Sequence, residues 1–244
     1  MKKISLAAQI GNMSAIMAIT AITVYMLSFF AILIVNPLYV WSDFTHFLAY
    51  QQQHPQSFKY IAQAMMLIFP LLYLLMLNSA LDTRPIDMQF AMRAALLLAL
   101  GFAVLAGMHY WVQITAVRMN IDKGTPDGLL QFIQAKPDSA MAAINMLGWT
   151  LFYGLSSLFA APAFNAGKVD RALRWAFVIN GVNCLVGGIA YMLDMTMIVA
   201  VSMNLVLGGC MLAISILMLM HFRAQRITSP ASADRSSFPV AASR

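Results

Sequence analysis

Six apolar runs alternate with shorter polar stretches along the chain. They cover about Ser14–Val35, Ile61–Ser79, Ala94–Val117, Ala140–Phe164, Ala172–Leu193 and Met195–Phe222. A helix rising ~1.5 Å per residue needs about 20 apolar residues to cross ~30 Å of hydrocarbon, and each run is close to that length. Backbone N–H and C=O groups in lipid must be satisfied within the segment, so helix is the expected state of every run. The pattern predicts an all-α, polytopic membrane protein with a six-helix transmembrane domain over residues 1–222. A signal peptide is the rival reading of the first run. Met13–Val35 is too long for an h-region, and no small-x-small cleavage site follows it cleanly.

Two connecting loops are long and resemble each other. One reads WSDFTHFLAYQQQHPQS and the other TPDGLLQFIQAKPDS. Ser42 is placed to cap a helix in the first, and Thr125-Pro126-Asp127 supplies a cap, an N1 proline and an early acid in the second. Trp41, Phe44 and Leu48, and Leu129, Phe132 and Ile133, fall at helical spacing. Both loops are expected to form short interfacial helices on the outer surface. This suggests a repeat of span, surface helix and span, used twice and followed by a final hairpin that turns at Asp194. Residues 223–244 are rich in Ser, Ala and Pro, cannot bury a core, and are expected to be a disordered cytoplasmic tail.

Composition removes the soluble alternative. The chain is 61% hydrophobic and 10% charged, against roughly 25% charged in soluble domains. Glutamate is absent. The net charge of +6 does not signal nucleic-acid binding, because the cations sit on short loops and at the tail. Lys2, Lys3, Arg84, Arg93, Lys168, Arg171, Arg174, Arg223, Arg226, Arg235 and Arg244 fall on one side, and Lys59, Arg118, Lys123 and Lys136 on the other. The excess of Lys and Arg marks the first side, with both termini, as cytoplasmic. Cys184 and Cys210 lie inside apolar runs, outside any CxxC pair, and read as packing residues.

Candidate chemistry rests on polar side chains within the spans. Tyr25, His109, Thr150, Asn183 and Asn204 each lie eight to ten residues in from the outer end of their run, a depth of about 12–15 Å. Five helices would then contribute to one polar layer, either a pocket for a small or lipid-like ligand or a set of interhelical hydrogen bonds. Asn180, Asn183, Cys184, Gly187, Tyr191 and Asp194 share one face of the fifth span, within about 60° at 100° per residue. That face should point into the bundle, with Asp194 either a ligand contact or a turn residue. Thr150, Gly154, Ser157 and Ala161 form a small-residue stripe suited to close helix approach.

Other chemistries find less support. A metal or haem site would need Asp43, His46, His54 and His109 together, and bis-histidine haem needs a second buried histidine. No nucleophile elbow, P-loop, dinucleotide fingerprint or HExxH occurs. No cofactor is implied.

The segment Asn145–Tyr191, with NMLGWTLFYGLSSLFAAPAF followed by RALRWAFVINGVNCLVGGIAY, resembles a pattern in uncharacterised six-span bacterial membrane proteins. The resemblance implies a bacterial inner-membrane location and no assigned activity. The expectation is a non-enzymatic protein that binds or transports a small or lipid-like ligand, through Tyr25, His109, Thr150, Asn180, Asn183, Tyr191, Asp194 and Asn204. The alternatives are a metal- or haem-dependent redox enzyme using His109, and an accessory subunit held to a membrane partner or a second copy by the small-residue stripe. Cysteines introduced at Asp127 and Asp170 should label from opposite sides of the membrane; labelling from one side would overturn the six-span count.

Overall fold

The computed structural model describes residues 6–228 apart from Leu38 and Thr83. Lys2, Lys3 and residues 229–244 of the expected tail lie outside the described residues. Among the described residues seven helices follow in order: α1 (Leu6–Val35), α2 (Phe44–Gln53), α3 (Ser57–Leu81), α4 (Ile86–Asp122), α5 (Ala140–Ala163), α6 (Gly167–Met192) and α7 (Thr196–Thr228). All except α2 are long and apolar enough to cross a membrane. No strand occurs among the described residues. The protein is therefore an all-α, multi-pass membrane bundle.

Several helices outrun the apolar runs that mark them. At 37 residues, α4 is about 55 Å long and must project well beyond ~30 Å of hydrocarbon. α1 starts at Leu6 rather than Ser14, and the last segment of α7 runs Leu207–Thr228, into the stretch expected to be tail. Hydropathy locates the part of a helix that lipid surrounds. Backbone hydrogen bonding carries the helix on into water.

The side carrying α2 and the 123–139 connection is called here the loop face, and the side carrying the α3–α4 and α5–α6 connections the terminal face. On the loop face α2 forms as expected, but its cap is Asp43, whose carboxylate accepts from the His46 N–H at 2.8 Å. Ser42 instead bonds Asp43 and His46 Nδ1. The second surface helix shrinks to one 3₁₀ turn, Leu129–Gln131, after Gly128 at φ 78°, so the expected repeat is not carried through. Phe47, Val117, Leu129 and Ile133 bury one another in a small core, with Trp41, Phe44 and Leu48 packed against it. The apolar residues of the two loops meet each other there, along the projecting end of α4.

Within the bundle, α1 packs on α3 and on Leu207–Thr228, and α5 packs on α6. Gly154 lets α5 and α6 touch: a Cβ there would fall 2.8 Å from Cys184 Cβ, and one at Gly181 would fall 2.8 Å from the Gly154 carbonyl. The small-residue stripe is thus used inside the chain. Gly11 of α1 gives way in the same manner to the Phe222 ring of α7.

The terminal face holds a buried charged cluster. Arg84, from the α3–α4 turn, donates through Nη1 to Asp170 Oδ2 at 3.1 Å and to the Ala163 carbonyl at 2.8 Å. Its guanidinium lies 4.4 Å from the centre of the Phe164 ring. Asp170 Oδ1 is 2.7 Å from His221 Nδ1, and Arg84 Nη2 also contacts the His221 ring. A neutral imidazole protonated at Nδ1 fits both neighbours, donating to the carboxylate and accepting from the guanidinium. All three side chains are under 10% exposed. The basic turn 168–174, read as an orientation signal alone, therefore contains an acid that fastens three segments together. Because Asp170 is buried, the exposed Lys168 is the better terminal-face position for cysteine labelling.

Removing one partner of a buried pair leaves an uncompensated charge. Asp170→Asn is expected to cost about 3–5 kcal/mol of stability, read from unfolding in mild detergent. Asp122→Asn, which breaks the half-exposed pair with Arg118, should cost under ~1 kcal/mol. Equal losses would show that the cluster contributes no more than a surface pair.

Candidate functional site

The loop-face half of the bundle contains a cavity of about 700 Å³, within the ~300–1,000 Å³ typical of small-molecule sites. One wall comes from Tyr25 of α1, Met66 of α3 and Tyr110 of α4. α5 supplies Ala142, Asn145, Met146 and Trp149, a surface that winds around roughly two turns. α7 supplies Val199, Ala200, Met203, Asn204, Leu207 and, deepest, Met211. The mouth is polar, formed by Gln134, Asp138, Tyr191, Asp194 and Thr196 together with Pro137.

Trp149 lies nine residues into α5 and Asn204 eight residues into α7, so these two lining residues lie about 12–14 Å from the loop-face ends of their helices, with Met211 deeper still. That is close to the ~15 Å of one leaflet's hydrocarbon. The floor is stiff. Trp149 packs edge-on to Phe102 at 4.6 Å, and Phe102 stacks on Tyr153 at 4.8 Å, which in turn meets Tyr73 at 4.8 Å.

Two π-helical segments shape the walls. Gly148–Phe152 in α5 carries Trp149, and Val201–Val206 in α7 carries Met203 and Asn204. A π turn adds a residue to the helical circuit and re-aims the side chains on that turn. In α5 this coincides with Gly148, whose missing Cβ lets the turn approach Leu105 of α4.

The expected site residues divide into two groups. Tyr25, Tyr191, Asp194 and Asn204 line the cavity. His109, Thr150, Asn180 and Asn183 do not, and each has a packing role. Asn180 donates to Ser157 Oγ at 2.8 Å, within a buried set in which Ser156 donates to the Ala95 carbonyl and sits 3.1 Å from the Tyr73 hydroxyl. Asn183 and Ser202 clamp α6 to the π segment of α7 through side-chain and backbone bonds of 2.9–3.1 Å. Thr150 returns its hydroxyl to the Met146 carbonyl and packs on Gly188. His109, fully buried, places Nδ1 3.1 Å from the Met141 carbonyl. Equal depth thus did not bring the five midplane residues to one place, because depth says nothing of the direction each side chain faces around its helix.

Asp194 is the turn residue expected of it, and it also stands at the mouth. Its φ of 55° makes it the left-handed residue of the α6–α7 turn, and its residue borders the mouth. Tyr191 donates to the Pro137 carbonyl at 2.6 Å and ties the 123–139 connection across the rim to α6. Gln113 holds the same connection from α4: its amide donates to the Phe132 carbonyl at 2.5 Å and its oxygen accepts from the Gln134 N–H at 3.2 Å. The charged residues bordering the cavity are Asp138 and Asp194. Lys136, bonded to Asp138 at 2.6 Å, holds that carboxyl below its usual range and keeps it ionised.

Among the described residues, no group of three or more His, Cys, Asp or Glu converges, so Asp43, His46, His54 and His109 are not brought together as a ligand set. The lining residues missed in the sequence include Met66, Tyr110, Gln134, Asp138, Asn145, Met146, Trp149 and Met203. Asn145 and Trp149, one turn apart on a helix whose other face is small residues, were the available signal.

Compared with protein-family models, curated proteins and solved structures, the chain finds no match in any of the three. The cavity and its lining are therefore the basis for a functional reading.

Gln113→Leu removes both bonds to the 132–134 segment. Hydrogen exchange at the Gln134 amide should then accelerate by the factor that about 1–3 kcal/mol of lost protection implies. Unchanged exchange would show that Gln113 does not hold the rim.

Proposed function

We propose that this protein binds an amphipathic small molecule or lipid-like ligand in the loop-face cavity, without chemical change, and holds it for transfer or transport at the membrane. The observation that supports this most is the graded lining. Methionine and aromatic side chains at depth suit a hydrocarbon part, and the carboxylates, amide and hydroxyls at the mouth suit a polar part. Met66, Met146, Met203 and Met211 adapt to irregular apolar shapes, while the Tyr and Trp rings limit width. The excess of Lys and Arg on the terminal face supports an outward-facing mouth and cytoplasmic termini. The resemblance of Asn145–Tyr191 supports a bacterial inner membrane as the location.

No observation favours the redox alternative, since the histidines it requires are dispersed. The accessory-subunit alternative loses its proposed contact, because Gly154 and Ser157 face α6.

The test is ligand-dependent stabilisation. Purified protein is unfolded thermally in the presence of dodecylamine, dodecanoic acid and dodecanol. A ligand at about 100 times its Kd adds ~2.7 kcal/mol, a plain rise in Tm. The double variant Met203→Trp/Leu207→Trp, which crowds the cavity where the apolar part would lie, should remove the rise. If no amphiphile raises Tm, or if the rise persists in that double variant, the proposal fails.

A further inference from the structure

The two helices that close the bundle part company at the cavity. On the terminal side α1 and α7 are tightly joined, with the Phe222 ring seated on Gly11. Their contact continues toward the loop face as far as Gly208, where a Cβ would sit 3.4 Å from Met26 Sδ. Beyond that point the stretch Thr196–Val206 leans on α6, while α1 packs on α3. Tyr25 of α1, with Ala200 and Asn204 of α7, lines the cavity at the place where the helices separate. Ala200 and Asn204 are exposed, although they lie about one leaflet deep or less from the loop-face end. Around this opening, Leu27, Phe30, Val201 and Leu205 present apolar surface outward, as a lipid-facing rim requires. The cavity therefore has two openings: the polar mouth toward water and a side opening toward the hydrocarbon.

A side opening at this depth selects what passes through it. A water-soluble ligand has no use for it, whereas a bilayer lipid already lies alongside with a chain at that level. The mouth narrows the head group. Its charged lining residues are both acidic, Asp138 and Asp194, and Lys136 offsets the first only. Asn145, beside Tyr110 in the wall below, has a buried Oδ1 that accepts no hydrogen bond among the described residues, so the polar part of the cavity offers acceptors to a donor-bearing group.

We infer that the gap between α1 and Thr196–Val206 is a lateral portal, through which a phospholipid of the loop-face leaflet places a hydrocarbon chain in the cavity with its ammonium-bearing head at Asp194. This rests on the cavity being a binding site and specifies its ligand and route. The chain lies along Met203, Leu207 and Trp149, and the head group stays level with neighbouring head groups. The portal needs no helix to move at its terminal end, where the Arg84–Asp170–His221 cluster and the Gly11–Phe222 contact hold it.

The experiment uses the full chain reconstituted in vesicles of equal parts phosphatidylethanolamine and phosphatidylglycerol. A photoreactive benzoylphenylalanine replaces Met146, in the cavity, or Leu147, beside it on the exposed face. After irradiation, lipid adducts are identified by mass spectrometry. Met146→benzoylphenylalanine should favour phosphatidylethanolamine over phosphatidylglycerol by about two- to fivefold, the factor one exposed ion pair supplies. Leu147→benzoylphenylalanine should follow the bulk composition. Asp194→Asn should abolish the preference. Ala200→Trp, which blocks the gap from an exposed position, should lower adduct yield at position 146 several-fold without affecting position 147. Equal lipid labelling at both positions, or a yield unmoved by Ala200→Trp, overturns the portal. A parallel sample receives dodecylamine from the aqueous side. If the amine gives adducts at position 146 and the bilayer lipids do not, the portal is overturned and ligand binding from water stands. If neither gives adducts there, and Tm is also insensitive to amphiphiles, both readings fall.

Discussion

The carboxylate of Asp170 is the point on which the arrangement of helices depends most. It accepts from Arg84 in the α3–α4 turn and from His221 on α7, while Arg84 also holds the Ala163 carbonyl at the end of α5. One buried acid thus ties the α3–α4 turn to α5, α6 and α7 at the face where the connections are short. The cost of burying the charges is met by pairing them and by the Ala163 carbonyl, which accepts from the guanidinium, while the Phe164 ring covers it. Glycine contacts extend the same fastening toward the middle of the bundle, at Gly11 on Phe222 and at Gly154 on Cys184.

The loop-face half is built differently. There the connections are long, and the small core of Phe47, Val117, Leu129 and Ile133 stands over the projecting end of α4. The 123–139 connection is pinned at its edges by Gln113 and Tyr191. Between this cap and the aromatic floor around Trp149, the helices are joined by fewer side chains and leave a cavity. A bundle clamped at one end and capped at the other can hold a cavity near one leaflet without losing its overall packing. The polar residues that served as clues to function belong largely to the clamping half: Asn180 and Asn183 complete hydrogen bonds that helices in lipid need in order to associate.

The two π turns at the cavity add to this contrast. Each lies where an α-helix would aim its side chains differently, and each supplies a residue to the wall, Trp149 in α5 and Met203 in α7. The Ser202 carbonyl in the second turn accepts from Asn183 of α6 as well as from the Leu207 N–H, so the irregular backbone is satisfied by a neighbouring helix, as hydrocarbon surroundings demand. The irregularity is thus tied to an interhelical bond that holds α7 against α6 on the side away from α1.

By itself, the sequence determined that this chain is an all-helical membrane bundle with six spans, a surface helix near residue 44 and a tight turn at Asp194. These follow from hydrophobic run length and from local backbone chemistry, which are properties of contiguous residues. It also carried four of the cavity residues, Tyr25, Tyr191, Asp194 and Asn204, since a polar group in an apolar run stands out whatever its partner. Tertiary structure alone decided that Arg84, Asp170 and His221 meet, that the stripe on α5 is spent on α6, and that α1 and α7 diverge beyond Gly208. The physical reason is that these depend on the rotation of each helix about its axis and on which helices are neighbours. Hydropathy measures how deep a residue lies and is blind to the direction in which it points.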